Sequence, residues 1–217
     1  MSLTKFIRDV QKRYEAIPTP GAIVYNATAA KILRKPERKI AEDIVEKMGS
    51  GTILDLGSGT GYLSIEIAKR ATSLKVYGVD LSKGMVKIAR HHAKGVENAQ
   101  FEFGNVADLP FEDDSIDFIV STGSLHHWRK SVKVFDECYR VLKSGKEAWI
   151  YDGCAEGAEQ YGFPHGLILR KILEAHGFTL AEYKSEIKSL WEQTKFKGSY
   201  RMKQTDIWMK IILKKYR

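Results

Sequence analysis

The sequence predicts a single α/β domain. Its sheet is expected to be seven-stranded, doubly wound and mostly parallel, with an antiparallel last strand and a helical lid over residues 1–36, the domain proper spanning 37–217. Three observations predict it. Short apolar runs at 52–56, 75–79, 99–103, 115–120 and 147–151 alternate with segments of helical period, the mark of repeated βα units and a parallel sheet. The first run ends in Asp55 and breaks into Gly57-Ser58-Gly59-Thr60-Gly61. Such glycines reach left-handed backbone and keep side chains away from a ligand, while the helix that follows aims unpaired N–H groups at it. Third, the strand-like runs 178–187 and 205–213 have no clear helix between them, so the chain is expected to return antiparallel at the sheet edge.

Each element has its own signal. An amphipathic segment over 4–16 ends at Pro18 and Pro20, and 21–28 reads as loop. The next helix carries Ile40, Ile44, Val45 and Met48 on one face and stops at Gly49-Ser50-Gly51. A helix over 61–71 follows the glycine turn. Asp80 closes the second strand, and Ser82 caps a helix with Met85, Ile88, Ala89 and His92 on one side. The nearly continuous apolar run 115–120 suits a strand buried on both faces. Val134, Cys138, Val141 and Leu142 then stripe a helix that ends at Ser144-Gly145, and a last helix spans 167–176.

Composition narrows the class. With 43% apolar and 29% charged residues in 217, the chain reads as a soluble globular protein with no membrane span or secretory leader, expected in the cytoplasm. Cys138 and Cys154 lack metal-ligand spacing and read as free thiols, and no metal is expected. The net charge of +8 is concentrated at the ends. Residues 1–39 carry nine Lys/Arg against three Asp/Glu, and 184–217 carry ten against three. Such ends are either a solvated surface or a field that attracts an anionic partner.

Ligands of such sheets bind beyond the carboxyl ends of the strands. Asp80 stands nineteen residues after Gly61, placed to accept from both ribose hydroxyls of an adenosine. A dinucleotide fingerprint would want a further glycine where Tyr62 stands. The stretches LDLGSGTGYLS (54–64), VYGVDLSKGMVKIAR (76–90), GNVADLPF (104–111), SIDFIVSTGSLHHW (115–128) and DECYRVLKSG (136–145) occur in that order. At these spacings the chain resembles the class I S-adenosylmethionine-dependent methyltransferases, a Rossmann-like fold. Within them it is most similar to the small-molecule branch that includes the ubiquinone and menaquinone biosynthesis enzymes. The resemblance covers residues 37–152.

It implies S-adenosyl-L-methionine as cofactor and S-adenosyl-L-homocysteine as product. Gly57, Ser58, Gly59 and Gly61 would meet the methionine end, Asp55 its ammonium and Asp80 the ribose. Leu81 and Met85 would pack on the adenine, Asn105 and Val106 border its rim, and Ser121 and Thr122 meet the amino-acid portion. The family usually carries Asp where Asn105 stands. An amide oxygen still accepts from the adenine amino group, without charge assistance.

For chemistry, the candidates are His126 and His127, able to take an acceptor proton where one must leave. Tyr25, His126, Asp152, His165, Trp191, Lys195 and Arg201 are candidate acceptor contacts, the basic and aromatic 188–203 segment forming a rim. The alternative for that segment is a solvated hairpin with Trp191 in the core. The acceptor is expected to be small, anionic or aromatic. The competing functions are an RNA or DNA methyltransferase that uses the basic termini, and a non-catalytic partner subunit with the same fold.

Overall fold

The computed structural model describes residues 29–161, 165–175 and 177–216. Helix α1 (Ala29–Lys47) runs without a break across residue 36, with Pro36 inside it. It lays Ile40, Ala41, Ile44 and Met48 on the sheet, all buried. Then β1 (Gly51–Leu56), α2 (Tyr62–Arg70), β2 (Leu74–Asp80), α3 (Lys83–His92) and β3 (Ala99–Phe103) alternate as the apolar runs predict. They are followed by β4 (Ile116–Thr122), α4 (Ser131–Val141) and β5 (Leu142–Cys154). After α5 (His165–Ala175), the chain makes a two-residue strand, β6 (Gly177–Phe178). It then turns helical over 180–191, here α6, with a π turn at Tyr183–Ile187, and ends in the hairpin β7 (Tyr200–Thr205) and β8 (Trp208–Lys214).

The sheet runs β3-β2-β1-β4-β5-β8-β7, with β6 paired to β5 off that path. Pairings among β1 to β5 are parallel, and β8 is antiparallel to both neighbours. The mostly parallel sheet with an antiparallel terminal strand is therefore as expected. One apolar layer holds Phe135, Cys138, Tyr183, Trp191 and Phe196, and the other holds the α1 stripe, Ile65 and Ala89. Among the described residues no helix is long and apolar enough to cross a membrane.

The segment 178–187 is not the expected strand. After Phe178 it is helical, for two physical reasons. Thr179 accepts from the Glu182 amide while Glu182 accepts from the Thr179 amide, a capping box. Tyr183, Ile187 and Trp191 recur at helical spacing and are all buried. The sixth strand of the main path is instead Tyr200–Thr205.

That shift overturns the expected rim. A twelve-residue helical run carries the chain about 18 Å, back to the amino ends of the parallel strands. Lys195 and Arg201 lie there, just before and at the start of β7, at the end of the sheet away from the glycine turn. The amide of Lys214, opposite Glu147 near the start of the β4–β5 pairing, donates to Ser199 O at 2.9 Å. Trp191 is fully buried, its ring 4.8 Å from Tyr200 and 6.1 Å from Phe135. Neither cation borders the ligand face, and Trp191 is core. Trp191→Ala is expected to lower unfolding stability by about 3–5 kcal/mol in urea titration.

Candidate active site

The glycine turn is pinned from below. The amides of Gly57 and Ser58 donate to Val79 O at 2.8 and 3.1 Å, and Gly61 N donates to Ser58 O. Gly57, Gly59 and Gly61 all have positive φ. A Cβ on Gly57 would lie 2.7 Å from the Ser124 side chain, and one on Gly61 would strike Phe101 and Ala89. Gly61 therefore serves helix–strand packing and lines neither cavity described below. Gly59 has open space on its Cβ side.

Asp80, at the end of β2, closes the turn. One carboxylate oxygen accepts from Gly59 N and the other from Ser82 N, each at 2.8 Å. Burial raises its pKa, opposed by those two N–H bonds. The Ser82 hydroxyl accepts from Met85 N and caps α3, as the sequence predicts.

Two cavities share Gly57, Gly59 and Thr122 as walls. The larger, about 650 Å³, extends past Asp80, Leu81, Met85, Asn105 and Val106 on one side. Its other side is His127, Trp128, Arg129, Lys130 and Val134. The smaller, about 30 Å³, lies between the turn, Tyr62 and Glu37. A separate hollow of about 260 Å³ near Thr72, Lys75 and Asn98 sits at the amino ends of β2 and β3, away from the turn.

One acid, Glu37, borders the small cavity, and a second, Asp55, lies close to it without lining either cavity. Asp55, buried in β1, accepts from Ser64 Oγ at 2.6 Å through one oxygen, and its other oxygen is buried with no hydrogen-bond partner. Burial pushes its pKa up to about 7 against the Ser64 bond, and the Asp80 charge adds to the rise. Glu37, from α1, accepts from Thr122 Oγ1 at 3.4 Å. Burial and the Asp55 charge push its pKa up to about 8, opposed by Thr122 and Arg34. Two neighbouring carboxyls held toward neutrality are groups whose ionised forms a nearby cation would favour. Glu37 was not legible as a site residue, since it sits in a lysine-rich helix and reaches the turn only through tertiary packing.

Other expected contacts fall differently. Ser121 is fully buried, and its hydroxyl donates to Leu56 O at 2.7 Å and meets Ser124 Oγ. It braces the strand end and lines neither cavity, whereas Thr122 lines both. Ser58 lines the small cavity, but its hydroxyl is turned toward Gly78. Asp152 is also fully buried. Its carboxylate accepts from Gly153 N at 2.7 Å, from His126 N at 2.9 Å and from His126 Nδ1 at 2.9 Å. It holds His126 and is out of reach of an acceptor.

His126 is itself buried, its ring 4.1 Å from that of His127, and His127 is the one on the cavity wall. Cys154, buried with its thiol directed at Glu156, has its pKa raised by burial to about 11, so it is inert filler. His165 opens α5, but its side chain lies outside the described residues, as does Tyr25.

The residues present fit S-adenosylmethionine. The unpartnered Asp55 oxygen beside Glu37 suits an ammonium group, and the open face at Gly59 admits backbone approach. Asp80 is placed for a ribose diol, and Leu81, Met85 and Val106 form an apolar slot for a base. Among the described residues no group of three or more His, Cys, Asp or Glu could hold a metal ion.

Known proteins agree with this arrangement. Residues 53–145 match the family described as "Methyltransferase domain". The uncharacterized methyltransferase YcgJ of Bacillus subtilis is 39% identical over 46% of this chain and 40% of its own length. The demethylmenaquinone methyltransferase of Clavibacter sepedonicus is 38% identical over 43% of this chain and 37% of its own. The chain thus spans about two fifths of the length of these curated relatives. A solved structure from Methanococcus maripaludis, of a protein assigned to the S-adenosyl-L-methionine-dependent methyltransferases, superposes with a TM-score of 0.72. It is 26% identical, and the match covers 93% of this chain and 94% of that one. Together with its glycine turn, Asp80 and two-lobed cavity at the carboxyl ends of the strands, these likenesses show that the chain carries an S-adenosylmethionine-dependent methyltransferase domain, matched over residues 53–145.

Proposed function

We propose that the chain transfers a methyl group from S-adenosylmethionine to a small anionic or aromatic acceptor by in-line displacement. The observation that carries this reading is the paired cavity, acid-bordered at one end and apolar with a diol acceptor at the other. When bound, the cofactor supplies a methyl group on a positively charged sulfur, so the protein need not generate an electrophile.

The chain's own work is positional. Glu37 and Asp55 hold the ammonium end, the Gly57–Gly59 backbone lies against the methionine chain, and Asp80 fixes the ribose. Orientation of that kind can supply on the order of 7–11 kcal/mol at best. His127 takes a proton from an acceptor that must lose one. Asp152 accepts from His126 Nδ1, and the His126 ring supports that of His127, which makes both positioning residues.

The cationic groups on the cavity wall are Arg129 and Lys130, beside Trp128. They take the place of the 195–201 segment as the charge that receives a carboxylate, phosphate or ring-hydroxyl acceptor. One relative is named for demethylmenaquinone, which makes that compound a first one to screen. The basic 195–201 stretch lies away from the cavity, which disfavours a nucleic-acid track leading into the site.

The test is an acceptor screen with methyl-labelled cofactor, followed by charge reversal. Arg129→Glu with Lys130→Glu is expected to raise the acceptor KM about tenfold and to leave cofactor affinity within about twofold. Unchanged KM would remove the cationic acceptor site. Salt-steep RNA binding abolished by Lys195→Glu and Arg201→Glu would favour the nucleic-acid reading.

A further inference from the structure

Asn105 borders the large cavity two residues beyond β3, on the same wall as Leu81, Met85 and Val106. Its side-chain oxygen accepts from Ala107 N at 2.9 Å, while its main-chain oxygen accepts from Asp108 N at 2.9 Å. The turn fixes which way the carboxamide faces. The reverse orientation would set its NH₂ donors against the Ala107 donor, so the atom opposite the turn is Nδ2. A carboxylate in the same turn would offer a second acceptor oxygen there. Asn105 offers a donor.

Resting on the cofactor reading above, we infer that Asn105 sets the base selectivity of this pocket, making it tolerant of a 6-oxo purine where an acidic residue would demand a 6-amino group. The 6-amino group of adenine presents N–H donors, which suit an acceptor. The 6-oxo group of hypoxanthine presents an acceptor oxygen, which suits the Nδ2 donors. A carboxylate facing that oxygen would be a repulsive, unpaired contact, and such mismatches generate discrimination more effectively than small changes in shape. The chemical class admitted is an S-purinyl-ribosyl thioether or sulfonium of either base type.

The experiment is calorimetric binding of S-adenosyl-L-homocysteine and S-inosyl-L-homocysteine to the full chain and to Asn105→Asp. Aspartate preserves the Ala107 acceptor, so the turn survives. The wild-type protein is expected to bind the inosyl ligand at least as tightly as the adenosyl one. In Asn105→Asp the adenosyl ligand is expected to gain an advantage of about tenfold or more. Asn105→Ala, which removes donor and acceptor together, should fall between them.

An equal, strong adenosyl preference in wild type and Asn105→Asp would overturn the inference, because the amide oxygen would then be serving both Ala107 and the amino group. Absence of binding by either ligand to the wild type would instead overturn the cofactor reading on which it rests.

Discussion

Gly57→Val is expected to weaken S-adenosylhomocysteine binding by about a hundredfold or more while the domain still folds. Gly57 sits at φ +67°, where a β-branched residue is strained by about 1–2 kcal/mol before any contact is counted. The added Cβ would lie 2.7 Å from both Cβ and Oγ of Ser124. Ser124 has little freedom to retreat, because its hydroxyl donates to Ser121 Oγ at 2.7 Å, and the Ser121 hydroxyl is itself held by Leu56 O. The turn must therefore move, and Gly59 N leaves the Asp80 carboxylate, which holds the loop and is the proposed ribose acceptor. Calorimetry reads the affinity and a thermal melt reads the fold. A folded variant with affinity within threefold of wild type would show that the turn does not touch the ligand.

The second large effect is electrostatic. Glu37, with its pKa raised by burial to about 8, and Asp55, raised to about 7, would lose their protons on the proposed binding of an ammonium group. Affinity is therefore highest above pH 8 and declines as pH falls through the two pKa values, since each proton must then be displaced. Between pH 8 and pH 6 the dissociation constant is expected to rise by about tenfold or more. Proton release should appear as a buffer-dependent binding enthalpy. Glu37→Gln removes one of the two titrations. It is expected to weaken binding about tenfold at pH 8 and to flatten the pH profile.

The same shifts act on the unliganded fold with the opposite preference. A buried carboxyl with a raised pKa stabilises the native state while protonated. That stability declines as pH rises from the ordinary carboxyl range toward about 8. Glu37→Gln should reduce this loss, read as a smaller fall in Tm over that range. A Kd that does not change with pH in the wild type would remove Glu37 and Asp55 as the cation site.

What the sequence made legible was whatever a short stretch encodes by itself. The Gly57–Gly61 turn, Asp80 closing its strand and Ser82 capping α3 all depend on residues within a few positions. Asn105 and Val106 were expected at the adenine rim from the family resemblance, and both line the large cavity. The misread segment, 178–187, is also local in origin, because Thr179 and Glu182 spell a capping box and Tyr183, Ile187 and Trp191 keep helical spacing. That signal was present, and the apolar content of the run obscured it.

Its consequence reached further. Once 180–191 is helical, β7 starts at the opposite end of the sheet, and Lys195 and Arg201 leave the ligand face with it. Glu37, Arg129 and Lys130 illustrate the other kind of miss. Nothing adjacent to Glu37 marks it, since it lies among Arg34, Lys35, Arg38 and Lys39. Only the packing of α1 over the glycine turn brings it to Thr122 and Asp55. Likewise, His126 and His127 are equivalent as a dipeptide. The buried Asp152 separates them, anchoring one ring and leaving the other on the cavity wall.

The most direct measurement is a calorimetric titration of the full chain at pH 8 with S-adenosylhomocysteine, and with NADH under the same conditions. A single saturating site for the former, with no heat from NADH, is the predicted result. Silence with both S-adenosylmethionine and S-adenosylhomocysteine, alongside clean saturation by NADH, would contradict the account.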